Sequence, residues 1–347
     1  MVRERETGHN PLDTCLVIGG SGMLGFEIAK QLNSDGKKVR ILDLVPPEGG
    51  GFGFIAGDIR KKEDVLKACK KVDTVFQTAA EVWDPRKQKN VYDEVNIGGN
   101  HNVIEACKEL GISRLIYTST LDVVVDGKKA IVDGDESHPY PRRLPSDPYC
   151  RTKIIAEKMV LEANCPDLNT CSIRPVGIYG PRDKYHLTNI IKACLEGVDF
   201  KIGDGSAEFS HVYSENAAHA HILAAKNLKA GSPAAGNTYF ITDYHPAKNL
   251  FEFMEPFLLG LGLKPPSRSI PYRIAYLFAW FYEIFKPGSN FNRFSVIQTC
   301  VDHTFISDKA RRELGYRPIV SEEEAFKRTL EWFSKNLDDI KASLPKS

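Results

Sequence analysis

The chain has 347 residues, room for one large domain or two intimately joined ones. Its 46 Lys and Arg against 45 Asp and Glu leave a net charge of +1, so no basic footprint marks it for nucleic acid. Eight cysteines fall without Cys-x-x-Cys spacing, which argues against a zinc or disulfide framework and suits reduced thiols in the cytosol.

Residues 1–12 form a polar tail, and Met1 to Asn10 lack the apolar core of a secretory signal, so a non-secreted protein is expected. Thr14-Cys15-Leu16-Val17-Ile18 then reads as a buried parallel strand. Gly19-Gly20-Ser21-Gly22-Met23-Leu24-Gly25 follows, and a helical pattern runs on to Leu32. In this Gly-x-x-Gly-x-x-Gly spacing Gly19 allows a tight turn and Gly22 lets backbone approach a pyrophosphate. Gly25 lets the helix lie close on the strand. The phosphates would sit on the helix N-terminus near Met23 and Leu24, where free N–H groups and the dipole favour anions. A second strand, Val39 to Asp43, ends in an acid eighteen residues past Gly25. A carboxylate there accepts the adenosine ribose hydroxyls and repels a 2′-phosphate, and no Arg or Lys immediately follows it. NAD rather than NADP is the expected cofactor. A second glycine cluster, Gly49-Gly50-Gly51-Phe52-Gly53, opens no helix and reads as a loop.

Strands are predicted near 53–56, 73–79, 114–119 and 169–173, alternating with helices near 61–70, 87–110 and 149–164. That alternation predicts an α/β fold, a Rossmann-type doubly wound parallel sheet. We assign 13–180 to it and 181–347 to a smaller, mostly helical C-terminal substrate-binding region, with segments near 200–229 returning to the first.

Tyr149-Cys150-Arg151-Thr152-Lys153 follows Pro148, which suits the first turn of a helix. Four residues make about one turn, so both functional side chains share a face. Bringing a free phenol from about 10 to about 7 takes roughly 4 kcal/mol. One cation at about 4 Å supplies roughly that at an intermediate dielectric. Lys153 beside Tyr149 would thus favour a phenolate able to take a proton from an alcohol. Spacing alone is worthless, since Tyr244/Lys248 and Tyr282/Lys286 share it. Only Tyr149 has a strand ending in hydroxyls, Thr118-Ser119-Thr120, some thirty residues upstream. His211, His219 and His221 cluster, but His219 and His221 would not share a helix face and no ligand set is completed, so no metal is expected.

Beyond residue 180 a helix near 184–196, a strand near 209–213 and a helix near 215–229 are predicted, then Tyr239-Phe240-Ile241. Ile270 to Phe285 is aromatic and apolar, interrupted by Arg273 and Glu283, and too short to span a bilayer. It reads either as a helix in a membrane interface or as one packed on the substrate region.

These motifs, with Gly57-Asp58-Ile59-Arg60, Thr78-Ala79-Ala80, Val95-Asn96-Ile97-Gly98-Gly99-Asn100, Tyr117 to Thr120, Arg174 to Pro181 and Glu215 to Ala224, resemble those of the extended short-chain dehydrogenase/reductases. Within them the chain is similar to the 3β-hydroxysteroid dehydrogenase/isomerase group. Gly134 to Ser137 and Tyr239 to Asp243 look like its family 42 branch. The resemblance implies Tyr149 as base, Lys153 as its electrostatic partner and ribose ligand, and Thr120, with Ser119 the second choice, as hydrogen-bond partner of the substrate oxygen. It implies that Asn96 supports Lys153 through water, that Asp58 and Ile59 flank adenine, and that Ala79 and Ala80 line the nicotinamide ribose. Pro175 to Ile178 would border the carboxamide, and Glu81, Tyr179 and His186 would meet substrate. The implied activity is NAD-dependent oxidation of a sterol or steroid alcohol, or its reverse, by a homodimer paired through the helices near 87–110 and 149–164. A lipophilic substrate, peripheral membrane contact and the cytoplasmic side of the endoplasmic reticulum go with it. Nucleotide-sugar epimerase or dehydratase activity, and a non-catalytic NAD sensor, are the rival readings. Ile18 stands where the family has Thr, Gln77 where it has His, and Thr120 where it has Ser.

Overall fold

The computed structural model describes residues 12–344, apart from 83, 85–86, 127–128, 244–245 and 286–292. The tail through residue 11, Tyr244 and Lys286 lie outside the described residues.

The first half of the chain runs β1 (Thr14–Ile18), α1 (Met23–Ser34), β2 (Lys38–Asp43), β3 (Gly53–Ala56), α2 (Lys62–Cys69), β4 (Thr74–Gln77), α3 (Lys89–Tyr92), α4 (Asn100–Leu110) and β5 (Arg114–Thr118). After β6 (Ile131–Gly134) come α5 (Pro148–Glu162), β7 (Asn169–Pro175), β8 (Gly177–Tyr179), α6 (His186–Leu195), β9 (Phe200–Ile202), β10 (Glu208–Phe209), β11 (His211–Tyr213), α7 (Ser214–Asn227) and β12 (Asn237–Ile241). The remainder is mostly helical: α8 (Leu250–Gly260), α9 (Tyr272–Phe285), α10 (Arg293–Cys300), α11 (Asp308–Leu314) and α12 (Glu322–Ala342).

Seven strands form one sheet in the order β12-β7-β5-β4-β1-β2-β3, every pair parallel. Its residues alternate between two apolar layers. In β1, Cys15 and Val17 enter one core with Ile28, Ile41 and Phe76, while Leu16 and Ile18 enter the other with Val75, Val103 and Leu115. Both faces being covered explains why these strands read as continuous apolar runs. The strand order reverses between β1 and β4, which opens a crevice at their carboxyl ends.

The helix predicted over 87–110 is not uniform. Asp93–Gly99, between α3 and α4, winds as a π-helix. A Cβ on Gly99 would come within 2.7 Å of the Ile59 side chain, so glycine lets this segment close on the loop after β3. Such bulges mark places where a helix re-aims a side chain, and here that side chain is Asn96.

In the C-terminal region α6, α8 and α12 share an apolar core built on Leu187, Phe257 and Phe333. Helices α9 and α10 meet over Ala275, Ala279 and Val296.

Candidate active site

One cleft of about 960 Å³ lies over the carboxyl ends of the sheet strands. Its floor is the turn after β1. Gly19 holds φ +81°, and a Cβ there would meet the Ala79 backbone at 2.7 Å. A Cβ on Gly25 would meet the Gly19 carbonyl at 2.3 Å. Gly22 differs: its Cβ would meet only that carbonyl, at 3.3 Å. The protein fills the space above Gly19 and Gly25 but leaves that above Gly22 open, as a cradle for a ligand's phosphates requires. Gly22 is also the N-cap of α1, with no side chain capping it, so the helix start faces the cleft uncovered. The Thr missing at position 18 has a substitute: Thr78 Oγ1 donates to the Ile18 carbonyl at 2.8 Å. Gln77 spans the backbone N–H and carbonyl of Ala79, at 2.9 and 3.0 Å, and so fixes the loop where the family has His.

Met23, Leu24, Asp43, Asp58, Ile59, Ala79 and Ala80 all line the cleft. The Asp43 carboxylate accepts from the backbone N–H of Ser21 at 3.0 Å and of Leu44 at 2.7 Å, which holds it over the turn. Arg60 also reaches the cleft wall, with its guanidinium on Asp58 at 2.6 Å. That contact lowers the Asp58 carboxyl below its ordinary range.

Across the crevice, β5 ends at Thr118, with Ser119 and Thr120 following it, and α5 brings Tyr149 and Lys153 to the same wall. Asp147 caps α5 by accepting from the Cys150 N–H at 2.8 Å, and Pro148 fills the first turn. Tyr149 is half-buried with its ring on the cleft, and Lys153 is 2% exposed. Lys153 is held by the end of β5. Its Nζ donates to the Thr118 carbonyl at 2.6 Å and lies 4.3 Å from the Tyr117 ring centre. Burial lowers the lysine to about 7, with Glu157 one turn further along α5 pulling it back up. Burial, reinforced by the Asp122 carboxylate, raises Tyr149 above its ordinary value, while a hydrogen bond with Thr120 works in the other direction. Tyr149 in this state is a neutral phenol.

Glu157 is buried against Arg174 of β7, which donates to it at 2.8 and 3.0 Å. Ser172 and Tyr140 hydroxyls donate to the same carboxylate at 2.6 and 2.8 Å. The network pins α5 to the sheet directly below Lys153.

Asn96 lies off the cleft. Its amide exchanges hydrogen bonds with the Glu81 backbone, at 2.7 and 3.1 Å, and donates to Thr152 Oγ1 at 3.0 Å. It braces the loop after β4 against α5 by direct contacts. Glu81 lines the cleft and pairs with Lys87 at 2.7 Å. Pro175, Val176 and Ile178 border the cleft, as does His186, whose Nε2 is buried with no partner among the described residues. Tyr179 is not on the cleft wall. It packs into an aromatic cluster with Phe253 and Tyr213, at 5.0 and 5.5 Å between ring centres. Ser119 Oγ is buried and unpartnered, whereas Thr120 Oγ1 is bonded to Asp122.

Several cleft residues escape sequence reasoning: Lys87, Asp122, Asp147 and Gln298. Asp122 carried a signal, an acid two residues past a pair of hydroxyls. Gln298 carried none, since it arrives from α10 and lies 176 residues from its partner Asp122. His221 is bonded to Thr118 Oγ1 at 2.9 Å and to the Ala217 carbonyl at 2.7 Å, which accounts for one member of the histidine cluster.

The 3-beta hydroxysteroid dehydrogenase/isomerase family matches residues 16–272. Short-chain dehydrogenase/reductase family 42E member 1 of Bos taurus is 40% identical, covering 93% of this chain and 88% of its own. The 3beta-hydroxysteroid-dehydrogenase/decarboxylase isoform 1 of Arabidopsis thaliana is 36% identical, over 92% and 79%. Among solved structures, an epimerase from Methanothermobacter thermautotrophicus aligns with TM-score 0.76 at 23% identity, over 95% of both chains. The Thermus thermophilus UDP-glucose 4-epimerase complex with NAD aligns with TM-score 0.67 at 23% identity, over 92% and 98%.

Proposed function

Because the chain belongs to the 3-beta hydroxysteroid dehydrogenase/isomerase family, we propose that it interconverts a secondary alcohol and ketone of a sterol or steroid, using NAD. The observation that carries this reading is the meeting, on one cleft, of the glycine turn with Tyr149, Lys153 and Thr120. When bound, NAD supplies the hydride acceptor and a positive charge. Gly22 and the start of α1 hold its pyrophosphate, Asp43 the adenosine ribose, and Pro175 and Ile178 its carboxamide side. Arg60 is engaged by Asp58, which leaves Asp43 to repel a 2′-phosphate and favours NAD over NADP.

Tyr149 takes the alcohol proton and Thr120 holds the substrate oxygen. Lys153, ordered by Thr118, carries the charge that stabilises the phenolate as it forms.

The rival within the superfamily, a nucleotide-sugar epimerase, needs cations for a diphosphate. Arg268 is 83% exposed and paired with Asp199, and Arg273 is absent from the cleft wall. Arg182 reaches the cleft but lies 3.6 Å over the Phe26 ring. With NAD present, a 3β-hydroxysteroid is expected to raise absorbance at 340 nm and UDP-glucose to leave it flat. Thermal stabilisation by UDP-glucose with no response to any steroid would support the epimerase, and NAD binding without turnover of any alcohol the sensor.

The reading extends to peripheral contact with the cytoplasmic face of the endoplasmic reticulum through α9, and to a homodimer across α4 and α5. Phe278, Phe281 and Phe285 of α9 are 66%, 49% and 79% exposed, and its buried residues are alanines. No helix of the described residues is long and apolar enough to cross a membrane. Replacing both Phe278 and Phe281 with Glu is expected to weaken co-flotation with phosphatidylcholine–phosphatidylserine vesicles about tenfold or more, given the apolar area each would bury. Unchanged flotation would remove α9 from the account.

A further inference from the structure

Asp122 sits two residues past the β5 hydroxyls, on the cleft wall facing α10. Both its oxygens are engaged. Thr120 Oγ1 donates to Oδ2 at 2.9 Å, and Gln298 Nε2 donates to Oδ1 at 3.0 Å. The Asp122 N–H returns to Thr120 Oγ1 at 3.2 Å. A hydroxyl carries one proton. While Thr120 gives it to Asp122, Thr120 offers the cleft only lone pairs.

We infer that Asp122 is a positioning residue that sets the polarity of the Thr120 hydroxyl, and that Gln298 couples this setting to α10. The inference rests on the proposed role of Thr120 against the substrate oxygen. With Asp122 ionised, Thr120 faces the substrate as an acceptor. With Asp122 protonated, its own O–H donates to Thr120 Oγ1, and the Thr120 proton turns to the substrate oxygen. A ketone oxygen gaining negative charge needs that donor, so the protonated form is the better reductase.

Both forms are populated in ordinary buffers. Burial pushes Asp122 up to about 6, with Asp147 adding to the rise and the bonds from Thr120 and Gln298 opposing it. Asp147, Tyr149 and Cys150 at the start of α5, Lys153 one turn further, and Ser295 and Gln298 on α10 share the cleft wall with it. Lys153, lowered to about 7, gives a second inflection that does not depend on Asp122.

Asp122→Asn separates the two. An asparagine can accept from Gln298 through its oxygen and donate to Thr120 through its nitrogen, which locks Thr120 in the donor setting. Reduction of a saturated 3-ketosteroid by NADH should rise about tenfold or more in the wild type as pH falls through 6, since one donor to a developing oxyanion is commonly worth that. The Asn variant should show no inflection near 6, keep the one near 7, and match the wild-type low-pH rate. Carboxyl ¹³C titration of the ligand-free protein gives a readout apart from turnover. A carboxyl should titrate near 6, vanish in Asp122→Asn, and move to higher pH in Gln298→Leu, where the charged form loses a donor. An Asn variant that keeps the inflection near 6, or a wild type with no such carboxyl, overturns the inference. That carboxyl in a protein that turns over no ketosteroid would support the Asp122–Gln298 coupling and overturn the steroid reading instead.

Discussion

Tyr149→Phe is expected to lower the rate of NADH formation from a 3β-hydroxysteroid by about 10²-fold or more, the range that a positioned general base contributes. NAD affinity should stay within about twofold of wild type, because the ring is kept and only the phenolic O–H is lost. The structure adds a condition to this result. Tyr149 rests as a neutral phenol, held there by burial and by Asp122. Lys153 donates to the Thr118 carbonyl and is itself lowered by burial. The free protein therefore does not store a phenolate, and the proton leaves Tyr149 only when positive charge enters the cleft. A kinetic pKa for Tyr149 should appear in the cofactor complex and be missing from spectroscopic titration of the free chain below pH 10. Wild-type turnover in Tyr149→Phe would remove this residue from the chemistry.

Glu157→Gln is expected to destabilise the fold by about 3–5 kcal/mol, because it strands the Arg174 guanidinium inside the protein. Arg174 and Glu157 side chains are 4% and 0% exposed. Arg174, Ser172 and Tyr140 together hold the carboxyl below its ordinary range. Its contribution is therefore complete above the unfolded carboxylate value and is lost as pH falls through the lower, folded one. In the Gln variant that acid-dependent loss should be missing from urea midpoints measured across pH. Replacing Glu157 and Arg174 together with Met should restore much of the loss, since a buried ion pair contributes little over well-packed apolar groups. Glu157 is also the charge that keeps Lys153 from titrating lower still, so the Gln variant should shift the inflection assigned to Lys153 downward. A cost below about 1 kcal/mol for the single variant would show that water reaches the pair.

Much of the architecture is legible in the sequence because it rests on local periodicity and steric demand. The apolar run Thr14 to Ile18, the glycines and the helix to Leu32 specify a strand, a turn and a close packing that few other residues allow. Distant strands such as Gly177–Tyr179 and Phe200–Ile202 are three residues long and paired across the chain, so no local pattern announces them. Spacing places Tyr149 and Lys153 on one helix face, yet it carries no information on where a long side chain ends. The Thr118 carbonyl and the Tyr117 ring decide that for Lys153. Tyr179 follows the same rule: a motif gives its position, but packing with Phe253 and Tyr213 turns it from the cleft. Asp122 and Gln298 meet only because α10 returns to the turn that follows β5, a fact of tertiary structure alone.

Transfer of the carbinol hydrogen tests the central claim most directly. A 3β-hydroxysteroid carrying deuterium at the reacting carbon is incubated with the enzyme and NAD, and the recovered dinucleotide is weighed by mass spectrometry. We expect the reduced cofactor to be one mass unit heavier and the steroid to be recovered as its ketone. Reduced cofactor without deuterium, or no reduced cofactor from any sterol alongside turnover of UDP-glucose, would contradict the account.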